Sequence, residues 1–357
     1  MKSKTSYTFI SQLNFLRFFA AIAIVIFHFG QWSLPFTNAL VKPFVLISNL
    51  GVTLFFVLSG FIMVHVYGDK LGKKIDKKLV TYYYRARIAR IAPIYIISLL
   101  AIVLFNFYKK GLVDISSLFL QLSFLQAWVP GQALKLNFTG WSLSVEMFFY
   151  ALFPFLIVYF AKKDIKKQLS ITSLIWFVST AITTYIFFVH TPTEALANNF
   201  MKFFPLFHLN SFIVGMAAGF WYKRINKNIT FWSVVALFLL CINPVLIDSS
   251  YNALQHNGLL APLFAIVIIG VAQTKDVVAR VLSFKPFVIG GDISYAIYIL
   301  QVPVYRWIYE LYLYLNISTL LGEAGRFFVY LIILVLLSYI STYTIEKWGR
   351  ARILMIK

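Results

Sequence analysis

The stretch "RFFAAIAIVIFH", residues 17–28, sets a guanidinium and an imidazole into an otherwise apolar run. A guanidinium stays protonated, so Arg17 can bind, orient or stabilise negative charge but cannot act as a base. An imidazole titrates near neutrality, so His28 can take up and return a proton. Eleven positions of α-helix separate the two by about 16 Å along the axis. A second run, "GWSLSVEMFFYALFP" at residues 140–154, carries a carboxylate, Glu146, with Ser142 placed to cap the start of a helix. If both runs cross a membrane in opposite directions, His28 and Glu146 lie at matching depths. A carboxylate holding one nitrogen of a neutral imidazole leaves the other free as a general base, and the two are expected to pair. A third cluster, "YYYRARIARIAPIY" at residues 82–95, places Arg85, Arg87 and Arg90 where a helix is expected to begin, with Pro93 in its first turns. Arg87 and Arg90 are three apart and share a face. Such guanidiniums suit bidentate binding of phosphates, or of anionic lipid headgroups.

The depth argument requires that these runs span a membrane, and composition says that they do. Of 357 residues, 61% are hydrophobic and 12% charged, against about 45–50% and about 25% in soluble domains. A soluble fold of this size cannot hide so much apolar surface. Ten apolar segments are long enough to be read as spans: 13–34, 47–67, 90–108, 141–161, 169–189, 203–221, 230–247, 257–273, 287–308 and 326–346. The expected fold is therefore an all-α polytopic integral membrane protein of about ten transmembrane helices. Between the third and fourth lies "LVDISSLFLQLSFLQAWVPG", too interrupted to span, which predicts a re-entrant or interfacial helix near 115–128. No repeat and no long polar segment is evident, so a single membrane-embedded domain over 1–357, without an appended soluble domain, is expected.

The net charge of +20 would suit nucleic acid, but its distribution argues otherwise. Loops on the side of the N-terminus carry 23 Lys and Arg and those on the other side 7, leaving Arg17 and Arg90 to the spans. That is the positive-inside pattern, with both termini cytoplasmic; membrane lipids, not nucleic acid, are the expected surroundings. Cys241 is the only cysteine, which excludes disulfides within the chain and cysteine-based metal sites. His65 reads as interfacial, His208 as buried in the sixth span, and His190 and His256 as outer or nearly so. None has a carboxylate at its depth, and no spacing suggests a metal site.

Taken together, "LNFLRFFAAIAIVIFHF", "GVTLFFVLSGFIM", "RARIARIAPIY", "WSLSVEMFFYALFP" and "ISYAIYILQVPVY", spread over residues 13–305, resemble the membrane-bound acyltransferase 3 family. The resemblance implies transfer of an acyl group, often acetyl, from cytoplasmic acyl-CoA to a hydroxyl on an extracytoplasmic or lipid-linked acceptor such as an envelope saccharide, in a bacterial cytoplasmic membrane. It marks His28 as the essential histidine and Arg17 as its partner, with Glu146, Trp141 and Ser142 in the conserved string of the fourth span. Arg85, Arg87 and Arg90 match the basic start of the third span; Ser59 and Tyr295, in the other matching strings, are expected to support the substrate. Gln301 stands where the family often has a histidine, so no proton role carries over to it. His28 as general base and His28 as transient acyl carrier both remain open, as does a separate protein completing transfer. A proton-coupled transporter or flippase for a glycolipid or polyisoprenoid-linked sugar, with His28 and Glu146 as a relay, is the alternative, and a scaffold role the third. Oligomeric state, acceptor and acyl length are not legible.

Overall fold

Each of the ten apolar segments holds a helix in the computed structural model, which describes residues 8–73, 76–189, 200–246, 254–315 and 321–355. His190 lies outside the described residues. The helices are α1 (Gln12–Val25, continued by a π-turn, Ile26–Gly30), α2 (Lys42–Leu46), α3 (Gly51–Leu71), α4 (Lys77–Lys110), α5 (Ile115–Leu122), α6 (Trp141–Ala161) and α7 (Ile165–Val189). They continue with α8 (Pro205–Tyr222), α9 (Thr230–Leu246), α10 (Ala261–Gln273), α11 (Asp276–Leu282), α12 (Lys285–Tyr314), α13 (Glu323–Ser341) and α14 (Lys347–Met355). Eight helical stretches among the described residues are long and apolar enough to cross a membrane. Of the two other predicted spans, the seventh is a shorter apolar helix and the eighth, α10, bends by 110° into α11.

Two boundaries differ from expectation, and both bear on the site. The third span does not begin near residue 90. Asp76 accepts the backbone N–H of Lys78 at 3.0 Å and starts α4 at Lys77, a cap of ordinary chemistry. Arg87 and Arg90 thus lie about three turns inside a 34-residue helix, and Pro93 sits in its interior. The predicted interfacial helix is shorter than 115–128: α5 has 8 residues. It turns Ser117 and Gln121 inward and Ile115, Phe119 and Leu122 outward, the reverse of a water-facing helix and the arrangement suited to a lipid interface.

Polar bonds tie the rest of that connection to the bundle. Asp114 accepts Ser117 Oγ at 2.6 Å, Ser116 Oγ at 2.8 Å and the Ser117 N–H at 3.0 Å. The Ser117 bonds first, then that of Ser116, pull the Asp114 carboxyl down to about 2. Tyr95 donates to Gln121 Oε1 at 2.6 Å, and Gln126 donates to the Gly140 carbonyl at 2.6 Å. Asn137 donates to the Ile299 carbonyl on α12 at 3.0 Å. Pro303, four residues on, has no N–H to offer that carbonyl, which leaves it free for Asn137.

Two helix pairs frame the centre. α3 and α8 meet backbone to backbone: a Cβ on Gly60 would collide with the Phe212 carbonyl, and one on Gly215 with that of Val57. Small residues permit such approach where lipid offers no hydrophobic drive. α1 and α12 run parallel and are pinned at both ends. Asn14 Nδ2 donates to the Val288 carbonyl and to Asp292 Oδ1, each at 3.0 Å, and His28 meets Gln301 further along. Gly215→Ala or Gly60→Ala should therefore force α3 and α8 apart and lower the melting temperature in detergent by several degrees. Gly325→Ala on α13, where the nearest atom would be 3.5 Å away, should be neutral or stabilising by about 0.5–1 kcal/mol. Thermal unfolding followed by size-exclusion chromatography distinguishes the two.

Candidate active site

α1, α3, α4, α6 and α12 line one cavity. Arg17 enters from α1, Ser59 from α3, Arg87 and Arg90 from α4, Ser142, Glu146 and Tyr150 from α6, and Tyr295 and Tyr298 from α12. The rest of the wall is apolar, chiefly Val52, Phe55, Phe56, Leu58, Ile62 and Met63 of α3. Three guanidiniums thus face one carboxylate. Arg17 lies in the field of Arg90, Asp292 and Glu146. Glu146 accepts the Tyr150 hydroxyl at 3.4 Å. Arg87 donates through Nη2 to the Tyr67 hydroxyl at 3.2 Å and lies 5.5 Å and 5.9 Å from the Tyr67 and Tyr150 ring centres, within cation–π range. Its Nε–H is buried with no hydrogen-bond partner among the described residues. A buried unpaired donor on a guanidinium is a place for an anionic ligand.

Arg85 does not line this cavity. Positions two apart on a helix face different ways, so Arg85 points elsewhere while Arg87 and Arg90 share the inner face of α4. Tyr295 lines the cavity and donates to the Ile91 carbonyl at 2.7 Å, which fastens α12 to α4. Ser142 lines it too, but not as a helix cap: its hydroxyl donates to the Thr139 carbonyl at 3.1 Å.

His28 occupies the π-turn that ends α1, a widened turn of the kind often found at functional sites. Its Nδ1 lies 2.8 Å from Gln301 Oε1. The Phe138 ring stands edge-on at 4.9 Å, and the Phe29 ring, stacked 4.1 Å from Tyr305, lies 6.1 Å away. Among the described residues nothing hydrogen-bonds Nε2. The expected His28–Glu146 pair is therefore not formed: an amide, Gln301, holds the imidazole, and Glu146 faces the arginines. A carboxylate withdrawn from water gains more beside guanidiniums than beside a neutral imidazole. Helix depth alone could not decide the partner, because it does not give the direction in which each helix points its side chains. His28 and the cavity are neighbours nonetheless. Gln301 donates to the carbonyl of Tyr298, whose side chain lines the cavity, at 2.7 Å.

Trp141 lies outside the cavity wall, 5% exposed, beside two imidazoles. Its ring centre is 5.3 Å from His208 and 5.2 Å from His256, which are 5.4 Å from each other. Sequence reading set both histidines aside; their meeting depends on the irregular "QHNG" turn before α10, which leaves no periodic signal. Among the described residues no three His, Cys, Asp or Glu side chains stand together to hold a metal ion.

The family model for an acyltransferase domain, that of acyltransferase 3, matches residues 10–343. The acyltransferase MdmB of Streptomyces mycarofaciens is 31% identical over 152 residues, 40% of this chain and 38% of that protein. The putative acetyltransferase ORF330 of Acidianus two-tailed virus is 27% identical over 298 residues, 80% of each chain. The peptidoglycan O-acetyltransferase OatA of Listeria monocytogenes is 23% identical over 338 residues, 85% of this chain and 51% of that one. The chain therefore spans about half the length of OatA, and its match to MdmB covers less of that protein. No solved structure gives a significant match. A match running from just before α1 to the turn after α13, over every element that builds the cavity, shows that this chain belongs to the acyltransferase 3 family.

Proposed function

We propose that this protein is a membrane O-acyltransferase that takes an acyl group, acetyl in the first instance, from acyl-CoA and delivers it to a hydroxyl of a saccharide or lipid-linked acceptor. The observation that carries the reading is the cavity itself, with three guanidiniums against one carboxylate and a base candidate one helical turn beyond its Tyr298 wall. The phosphates of coenzyme A bind at Arg87 and Arg90, where the Arg87 Nε–H supplies an unused donor. The pantetheine arm lies along the apolar wall of α3, past Arg17 and Glu146. Glu146 keeps Arg17 oriented and offsets part of the repulsion among the arginines.

The thioester reacts at His28. As the acceptor oxygen attacks the carbonyl carbon, its proton passes to Nε2; the C–S bond then breaks and Nε2 returns the proton to the departing thiolate. Exchange of a thioester for an ester needs no ATP, so the protein supplies position and a site shielded from water. The donor enters from the face of the basic loops, read as cytoplasmic, and the acceptor from the opposite face, so coenzyme A itself does not cross. Names among the relatives, O-acetyltransferase and peptidoglycan O-acetyltransferase, support acetyl and a saccharide hydroxyl.

Three outcomes are expected. Purified protein in vesicles with acetyl-CoA and an envelope glycan should release free thiol and form acetylated glycan; His28→Ala should abolish both while eluting as folded protein. Thiol release that persists in His28→Ala would remove the base, and a wild type that releases none would favour transport. Arg87→Ala and Arg90→Ala should each raise KM for acetyl-CoA about 10–100-fold, the worth of a lost charge-assisted hydrogen bond, with the KM for acceptor little changed. Finally, in a Cys241→Ser background, cysteine at Lys135 should react with an impermeant maleimide on intact cells and cysteine at Lys78 should not. The opposite pattern would invert the orientation.

A further inference from the structure

Gln301 is fully buried, and both ends of its amide are engaged. One end lies 2.7 Å from the Tyr298 carbonyl, and the other 2.8 Å from His28 Nδ1. A carbonyl oxygen only accepts, so the end facing it must be the NH2 group; the end facing His28 must then be the amide oxygen. That oxygen also only accepts, so Nδ1 must carry the imidazole proton. We infer that Gln301 holds His28 in the Nδ1–H tautomer and is the positioning residue that leaves Nε2 as a free lone pair toward the substrate.

The surroundings resist any other arrangement. Rotating the amide would set its oxygen against the Tyr298 carbonyl, two acceptors facing each other, and lose that buried bond; the other tautomer of His28 is reached only at this cost. The helix around Gln301 is clamped: Tyr330 donates to the Gln301 carbonyl at 3.0 Å, and Asn137 takes the Ile299 carbonyl that Pro303 leaves unpaired. Phe138, next to Asn137, stands edge-on to the imidazole at 4.9 Å and fixes its plane. The same clamp thus sets both the ring and the amide that selects its proton. An amide cannot relay a proton, so Gln301 acts by orientation alone, which distinguishes it from a second acid or base. The titratable groups reached from His28 through its neighbours are phenols: Tyr305 of α12 and Tyr330 of α13 against Phe29, and Tyr298 of α12 through Gln301, with Arg326 beyond Tyr305. Phenols stay neutral near pH 7, so these three add no charge there.

The inference rests on His28 being the base, and its test separates the two. Coenzyme A release from acetyl-CoA in the presence of acceptor would be measured against pH for the reconstituted wild type, His28→Ala, Gln301→Leu, Gln301→Asn and Gln301→Glu. Gln301→Leu should lower kcat about 10–100-fold with the KM for acetyl-CoA within about twofold of wild type, in line with losing a base-orienting group. Gln301→Asn keeps the amide on a shorter arm and should recover part of the loss. Gln301→Glu places a carboxylate at Nδ1, favours the imidazolium, and should move the acid limb of kcat to higher pH. Wild-type kcat in Gln301→Leu, or an unmoved acid limb in Gln301→Glu, overturns the role of Gln301 while His28→Ala stays inactive. Activity in His28→Ala overturns the base itself.

Discussion

Charges held inside an apolar bundle constrain this protein more than any other feature. Arg17, Arg87 and Arg90 stand around one cavity with Glu146 as the single carboxylate on its wall. Removing a charge from water is expensive unless partners replace the hydration. The fold supplies those partners: for Arg87 the Tyr67 hydroxyl and ring from α3 and the Tyr150 ring from α6, and for Glu146 the Tyr150 hydroxyl one turn along its own helix. What it leaves without a partner among the described residues is the Arg87 Nε–H, a donor poised for an anion. The helix positions follow from that demand, because α1, α4, α6 and α12 must each present a polar side chain at one place while turning apolar faces to lipid.

Register is the second constraint. α1 carries both Arg17 and His28, and α12 carries Tyr295, Tyr298 and Gln301. The two helices are fixed against each other by Asn14 at one end and His28 at the other. A slip of one turn along either helix would move a residue by about 5.4 Å and break both pins. Arg17 is thereby kept in the cavity and His28 beside its far wall. The π-turn at Ile26–Gly30 adjusts the aim of His28 at the end of this shared ruler. The connection from Asp114 to Gly140 depends on the same frame, since Asn137 anchors on a carbonyl of α12 and carries Phe138 to the imidazole.

Much of this was legible in the sequence. Hydropathy alone located ten helical segments, and the types and helical spacing of Arg17, Arg87, Arg90 and Glu146 selected four groups that do meet. Four things were not legible, each for a physical reason. The start of α4 was placed too late because its first turns, "KKLVTYYYRAR", are polar and aromatic; hydropathy reads lipid exposure, whereas the helix is set by the Asp76 cap and continues beyond the apolar core. The partner of His28 was mistaken because depth along a helix is readable from sequence and direction around it is not. Gln301 stood out only as a missing histidine; its value lies in a hydrogen bond that exists once α1 and α12 are side by side. The three basic residues 85, 87 and 90 looked alike until the helix turned one of them away.

On the function proposed above, the cavity between α1, α4, α6 and α12 receives the donor and delivers its acyl end toward His28. A cryo-EM structure with a non-reactive thioether analogue of acetyl-CoA tests it most directly. The account predicts phosphate density against Arg87 and Arg90, with the pantetheine arm along α3 and the acyl carbon beyond Tyr298, within reach of His28 Nε2. Analogue density on another face of the protein, or in the cavity with its phosphates remote from both arginines, would contradict it.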